Sequence, residues 1–380
     1  MSIAKSRNGA APKSVLITTD CIGGIWNYAV QLTRGLTVRG VEVLIAALGP
    51  APTASQRQEI QSIDGCYLAH LDCRLEWMDG GCEDLESCGS WLRCLEESFR
   101  PDIIHSNSYG LARTPFCAPI LVVAHSCVYS WWRAVHGASP PKEWSTYRSA
   151  VAQGLSSAAA VIAPTHAMLR SLAGNYDVNL SNSRVIHNSC QIPEVNPLIK
   201  RPMILAAGRV WDESKNFAVL DKIAPHLPCS IRIAGAIQSP EGHRGFHARN
   251  VSLLGAISQG ELHRLMYRST VFAHPALYEP FGLAVLEAAR CGCALVLSDI
   301  PSLRELWADA ALFCPPDDEE AWSKALKIML NNDRLCANFS QRARSRAAQF
   351  STEGMVSEYQ DLYRRMIANH SRDAHWERAS

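Results

Sequence analysis

Apolar residues along this chain come in short β-type bursts, separated by stretches in which they recur at helical spacing. Ser14–Thr19 (SVLITT) reads as a strand and Ile25–Arg39 as a helix, followed by a strand at Val41–Leu48. Asp102–His105 (DIIH), Ile120–Ala124 (ILVVA) and Ala160–Ala163 (AVIA) continue the series. The pattern restarts near residue 200, predicting strands at Met203–Ala206, Ser230–Ala234, Val251–Leu254, Val271–His274 and Ala294–Ser298. Short runs of this kind, alternating with helices, belong to parallel sheets covered on both faces. Between the halves, Ile192–Pro202 (IPEVNPLIKRP) holds three prolines and reads as a linker. A last helix is expected over Ser351–Asn369, opened by Ser351-Thr352-Glu353. The predicted organisation is therefore an α/β domain over 1–195, a second over 196–350, and a helical tail over 351–380.

Composition narrows the function. A chain of 380 residues is long enough for two domains with separate cores. With 37 basic and 36 acidic residues it lacks the basic surplus that binding to nucleic acid needs. No apolar run approaches the roughly 18–20 residues that span a bilayer. The opening MSIAKSRNGAAPK has no hydrophobic signal core, so a cytoplasmic location is expected. Fourteen cysteines contain no C-x-x-C pair, and five of them (Cys66, Cys73, Cys82, Cys88, Cys94) crowd one segment. Scattered free thiols are the expectation, with a zinc or redox role for the five as the alternative.

In two-domain α/β proteins the loops after strands face the ligand crevice. The first such loop, Asp20-Cys21-Ile22-Gly23-Gly24, brings paired glycines to a helix N-terminus, where anions are favoured. It is not G-x-G-x-x-G, which counts against a dinucleotide-dependent dehydrogenase. The second, Gly208–Asn216, places Arg209 and Lys215 where a planar fork and a point charge could grip a diphosphate. A solvated loop paired to Asp212 and Glu213 is the plainer reading. The third, His274–Glu287, sets Glu279 in a loop and Glu287 eight residues later in an apolar helix. A carboxylate in such a stretch needs a partner, and sugar hydroxyls suit it.

The E-x7-E pattern with Phe281-Gly282-Leu283 resembles the retaining glycosyltransferases of family 4, which have the GT-B fold. Gly208-Arg209 with Lys215, Asp102–His105 and Ala163-Pro164-Thr165 fall in matching order from Ser14 to the terminal helix. The resemblance implies two doubly wound, Rossmann-like domains facing across a cleft, with the C-terminal helix returning to the first. It implies transfer of a sugar from a nucleotide-diphosphate donor, UDP- or GDP-linked, to a hydroxyl acceptor. By the same resemblance Glu279 and the amides of Phe281, Gly282 and Leu283 hold donor sugar and phosphate, and Glu287 accepts from ribose. Arg209 and Lys215 neutralise the leaving diphosphate, Gly23 and Gly24 admit phosphate, and His125 orients the donor sugar. Ala256 and Ile257, before a capping box at Ser258–Glu261, lie near the base.

No D-x-D motif occurs, and Asp317–Glu320 reads as a solvated helix start, so neither metal nor other cofactor is expected. Retention without an evident nucleophile suggests front-face attack. The sequence departs from the family pattern in a longer Arg-to-Lys gap, in His187-Asn188-Ser189-Cys190 before the linker, and in Asn107 where a second histidine is common. The acceptor side gathers Trp131, Trp132, His136, Trp144 and Tyr147, whose rings suit stacking on sugars or apolar aglycones, with core packing or a lid helix as the plainer and preferred reading. Acceptors in the family are sugars, lipids or small metabolites. Arg342–Arg346 reads as a solvated helix face rather than a lipid contact. Competing readings are an epimerase or phosphorylase of the same fold, or a catalytically silent nucleotide-sugar-binding module.

Overall fold

A computed structural model describes residues 11–193, 199–242 and 244–379. Part of the expected proline-rich linker, 194–198, lies outside the described residues. The first sheet contains β1 (Ser14–Asp20), β2 (Glu42–Leu48), β3 (Cys66–Leu71), β4 (Ile103–Ser106), β5 (Ile120–Val123), β6 (Ala160–Ala163) and β7 (Ser183–Val185). The second contains β8 (Arg201–Ala207), β9 (Ile231–Ala234), β10 (Ser252–Gly255), β11 (Ser269–His274), β12 (Ala294–Ser298) and β13 (Ala311–Cys314). Strand order is β3-β2-β1-β4-β5-β6-β7 in one and β10-β9-β8-β11-β12-β13 in the other, every pair parallel. This is the two-domain Rossmann-like architecture that the strand rhythm and the resemblance predict.

Both faces of the strands are buried, which is why the runs are apolar without alternation. Val15, Ile17 and Ile45 pack into one cluster while Leu16, Leu44 and Ile104 pack into another on the opposite face. Three strands have no counterpart in the sequence reading. The β3 segment CYLAHL is an edge strand with no fully buried residue, and β7 spans only three partly buried ones. Strand β13 (ALFC) follows the helix Pro301–Trp307 after only three residues, so its four-residue burst reads as a continuation of that helix.

The terminal helix runs over Thr352–Ala379, longer than expected, and the Ser351 hydroxyl accepts from the Gly354 N–H at its start. It packs on the helix Gly24–Thr37 of the first domain: Met355, Val356, Tyr359 and Tyr363 join the cluster containing Tyr28, Ala29 and Leu32. His105, at the end of β4, bonds Tyr363 Oη through Nδ1 (2.7 Å) and Tyr28 Oη through Nε2 (3.1 Å). The fourteen cysteines are free thiols, and the crowded five divide among β3, the loop after it, a 3-10 turn at Gly81–Asp84 and the helix Leu85–Phe99. Among the described residues no helix is long and apolar enough to cross a membrane.

Candidate functional site

In each sheet the strand order reverses beside its central pair, β1 and β4 or β8 and β11, and a crevice opens at their carboxyl ends. The two crevices face one another and merge into a cavity of about 1120 Å³. Arg209, Lys215, Glu279, Phe281, Gly282, Leu283, Glu287, Ala256 and Ile257 line it from the second domain. Gly23, Gly24, His125, Trp131, Trp132 and Trp144 line it from the first. Contacts across the cleft hold the halves together: Thr165 Oγ1 donates to the Pro280 carbonyl (3.0 Å), and the Cys127 N–H donates to Tyr278 Oη (3.2 Å).

On the second domain, the loop after β8 turns through a one-turn 3-10 segment, Glu213–Lys215. Lys215 Nζ donates to Glu279 Oε2 at 2.8 Å, and His274 Nε2 reaches the same oxygen at 2.9 Å. Burial alone would raise the Glu279 pKa, but the Lys215 charge and the His274 hydrogen bond outweigh it and hold the carboxyl well below the usual range. Glu279 is therefore a carboxylate, an acceptor for hydroxyl groups. Glu287 is buried, and its Oε1 accepts from Gln259 Nε2 at 2.7 Å.

Arg209 donates to Asp212 Oδ2 at 2.6 Å, so the plainer pairing holds for that residue, while Asp212 is buried rather than solvated. Asp212 Oδ1 accepts from the Ser214 N–H and hydroxyl, and from Trp131 Nε1 across the cleft at 3.0 Å. Burial opposes its charge, yet Arg209, Lys215 and these hydrogen bonds carry its pKa down to about 2. Arg209 also lies over the Trp211 ring, 5.1 Å from its centroid.

On the first domain, Gly23 caps the helix Gly24–Thr37 with φ +85, and a Cβ on Gly24 would stand 3.3 Å from Leu283 Cδ1 of the other domain. Gly282, at φ +86, caps the helix Leu283–Arg290. Neither helix start has a side-chain cap, so the first N–H groups of both are left for a ligand. Asp20, at the end of β1, is buried, and burial lifts its pKa to about 6 against the pull of the Ile22 N–H and Arg209.

Asn107 acts on the histidine nearest the centre. Its Nδ2 donates to the Thr18 carbonyl (2.6 Å), which turns Oδ1 towards His125 Nε2 at 2.8 Å. Because that oxygen only accepts, His125 carries its proton on Nε2 and keeps Nδ1 as an acceptor. Burial lowers its pKa to about 3, so the ring is neutral.

Of the acceptor-side candidates, His136 does not line the cavity; it packs against Trp132 at 4.7 Å between ring centroids and is exposed. Trp131 is committed to Asp212, whereas Trp132 and Trp144 line the cavity. The sequence reading did not single out His274, Gln259, Asp20 or the positioning role of Asn107. His274 looks like one more strand residue, although its place five residues before Glu279 at a strand end is a usable signal. Among the described residues no group of three His, Cys, Asp or Glu side chains is arranged to hold a metal ion.

Two parallel Rossmann-like sheets, with paired cations, two glutamates and two uncapped helix starts in the cleft between them, define the GT-B class of architecture. Residues 196–346 match the family described as Glycosyl transferases group 1, and residues 22–191 match Glycosyltransferase Family 4. The chain belongs to the GT-B glycosyltransferases of the family 4 type. It is 26% identical over 183 residues to O-antigen chain mannosyltransferase B of Escherichia coli, covering 48% of this chain and 42% of that one. It is 22% identical to a D-inositol 3-phosphate glycosyltransferase of a Nocardioides species, covering 92% of this chain and 87% of that one. The chain spans about half the length of the first curated relatives it matches. Its fold superposes on sucrose-phosphate synthase of Thermosynechococcus elongatus with a TM-score of 0.76 at 18% identity, covering 94% of this chain and all of that one.

Proposed function

We propose that the protein is a retaining glycosyltransferase that moves a sugar from a nucleotide-diphosphate donor, UDP- or GDP-linked, to a hydroxyl acceptor without a metal ion. One observation carries this reading. Arg209, Lys215 and the two uncapped helix starts at Gly24 and Leu283 all face one cavity, a cradle suited to a diphosphate.

In the proposed reaction, the bond from the sugar's anomeric carbon to the diphosphate oxygen breaks as the acceptor oxygen bonds to the same face. The acceptor proton passes to the departing phosphate. Negative charge grows on the diphosphate, where Arg209 and Lys215 stabilise it, in the role a metal has elsewhere. Glu279, a carboxylate fixed by Lys215 and His274, accepts from donor-sugar hydroxyls. Glu287 accepts from ribose, beside Ala256 and Ile257 at the base. Neutral His125 orients the sugar through its acceptor nitrogen.

The test is a panel of nucleotide sugars incubated with the protein in the presence of a chelator, with products read by proton NMR. Release of nucleoside diphosphate with the anomeric configuration kept supports the proposal. An inverted product, or activity abolished by the chelator and restored by a divalent ion, overturns the corresponding part.

A further inference from the structure

The cavity exceeds the about 300–1,000 Å³ of a usual single-ligand site, and its two ends differ in chemistry. The second-domain end carries the cations Arg209 and Lys215. The first-domain end is walled by Trp77, Tyr109, Leu111, Trp132, Trp144 and Tyr147. The tyrosine hydroxyls at this wall already have partners. Tyr109 Oη donates to the Ser126 carbonyl (2.8 Å) and Tyr147 Oη accepts from the Val128 N–H (3.2 Å), so both rings present carbon to the cavity. Asn107 is divided between Thr18 and His125.

The acidic side chains lining the first-domain half of the cavity are Asp20 and Glu76. Glu76 lines the cavity, with Oε1 accepting from the Tyr109 N–H and Oε2 from the Gly110 N–H, both at 2.9 Å. Arg74, the cavity-lining cation of this domain among the described residues, is tied to Glu83 (2.9 Å) and Asp84 (2.8 Å). Of the six acidic side chains in residues 72–87, Glu76 lines the cavity.

We propose that the acceptor is an uncharged hydroxyl compound with a flat apolar ring, such as an aryl alcohol or aryl glycoside, and that phosphorylated acceptors are rejected. The inference rests on the glycosyltransferase reading above. A phosphate entering this end would meet Glu76 and a single cation, Arg74, already held by two carboxylates, where the donor end offers two cations and two uncapped helix starts, a difference that works as specificity. A bare polyol would give up hydration against a wall made mostly of aromatic and aliphatic carbon. A ring face meets neither penalty and gains stacking area on Trp132 and Trp144. In this respect the chain would part from the relative whose name specifies inositol 3-phosphate.

The test uses the full chain in two stages. Nucleoside diphosphates are titrated first, and that result reports on the donor reading alone. A panel of phenols and aryl glucosides headed by 4-nitrophenyl β-glucoside, then glucose, glucose 6-phosphate and inositol 3-phosphate, is titrated by calorimetry with and without the best nucleotide. The aryl glucoside is expected to bind saturably, at least about tenfold tighter than glucose, with no binding of either phosphate. Trp144→Ala and, independently, Trp132→Ala should each weaken it about tenfold while nucleotide binding stays as in the parent. Tighter binding of either phosphate, no saturable binding by any member of the aryl panel, or indifference to both substitutions would overturn the proposal.

Discussion

Replacing Lys215 by methionine keeps most of the side chain's unbranched length and removes the charge facing Glu279. The pair is 2.8 Å apart, with the two side chains 11% and 15% exposed. At an effective dielectric of about 20, the attraction at that distance is roughly 6 kcal/mol before desolvation. Breaking one side of such a pair typically costs about 3–5 kcal/mol, because the remaining charge stays buried. His274 remains 2.9 Å from the same oxygen and keeps its hydrogen bond to the carboxylate. We therefore expect a destabilisation of about 3 kcal/mol at pH 8, measured by urea denaturation.

The sign with pH follows from Glu279. In the parent its pKa is depressed, so its contribution is present above the unfolded value and lost as pH falls through the folded one. Lys215→Met removes much of that depression, so the penalty should shrink from pH 8 towards pH 5, as the carboxyl binds a proton. The double variant with Glu279→Gln should recover about 2 kcal/mol relative to the sum of the single changes. Turnover should fall about 10²–10³-fold in Lys215→Met, because a cation on the leaving group is gone. A Lys215→Met protein with parental stability at pH 8 and parental turnover would refute this account of the pair.

Three further outcomes follow from the geometry. Burial holds His105 and His125 at about 3, well below the unfolded value, so stability should be full above about pH 6.5 and fall as pH drops towards 3. His105→Gln should flatten that slope in pH-dependent denaturation. Gly282→Ala forces a side chain to φ +86, with its Cβ 3.2 Å from Val285 Cγ2 and 3.3 Å from Glu279 Cγ. It should cost about 1–2 kcal/mol in denaturant unfolding and weaken nucleotide binding in calorimetry. Glu305 accepts from the backbone N–H groups of His166 and Ala167 across the cleft (2.7 and 2.9 Å). Glu305→Ala should give a larger radius of gyration by small-angle scattering with nearly unchanged unfolding; an unchanged radius would show that these contacts do not set closure.

The fold was legible because both sheets are buried on both faces, and that makes runs such as ILVVA and ALVLS stand out from their surroundings. Strand β3 was not, because an edge strand with half-buried residues carries no such burst. At the site, Glu279, Glu287, Arg209 and Lys215 were legible as charges in loops and helices after strands. What the sequence hid were partners distant along it. Trp131 reaches Asp212, 81 residues away, Glu305 reaches His166, 139 away, and His105 reaches Tyr363, 258 away. Asn107 shows the same limit from the other side. Read as a departure from the usual pattern, it fixes the tautomer of His125, a role visible only once Thr18 is seen holding its amide.

The central claim is that the cations and uncapped helix starts in the cleft bind a nucleoside diphosphate. Calorimetric titration of the full chain with uridine, guanosine and adenosine diphosphates, repeated on Arg209→Ala and Glu287→Gln, tests it most directly. The account predicts saturable one-to-one binding of one of the three, weakened about tenfold or more by each substitution. No binding of any, or binding indifferent to both substitutions, would contradict it.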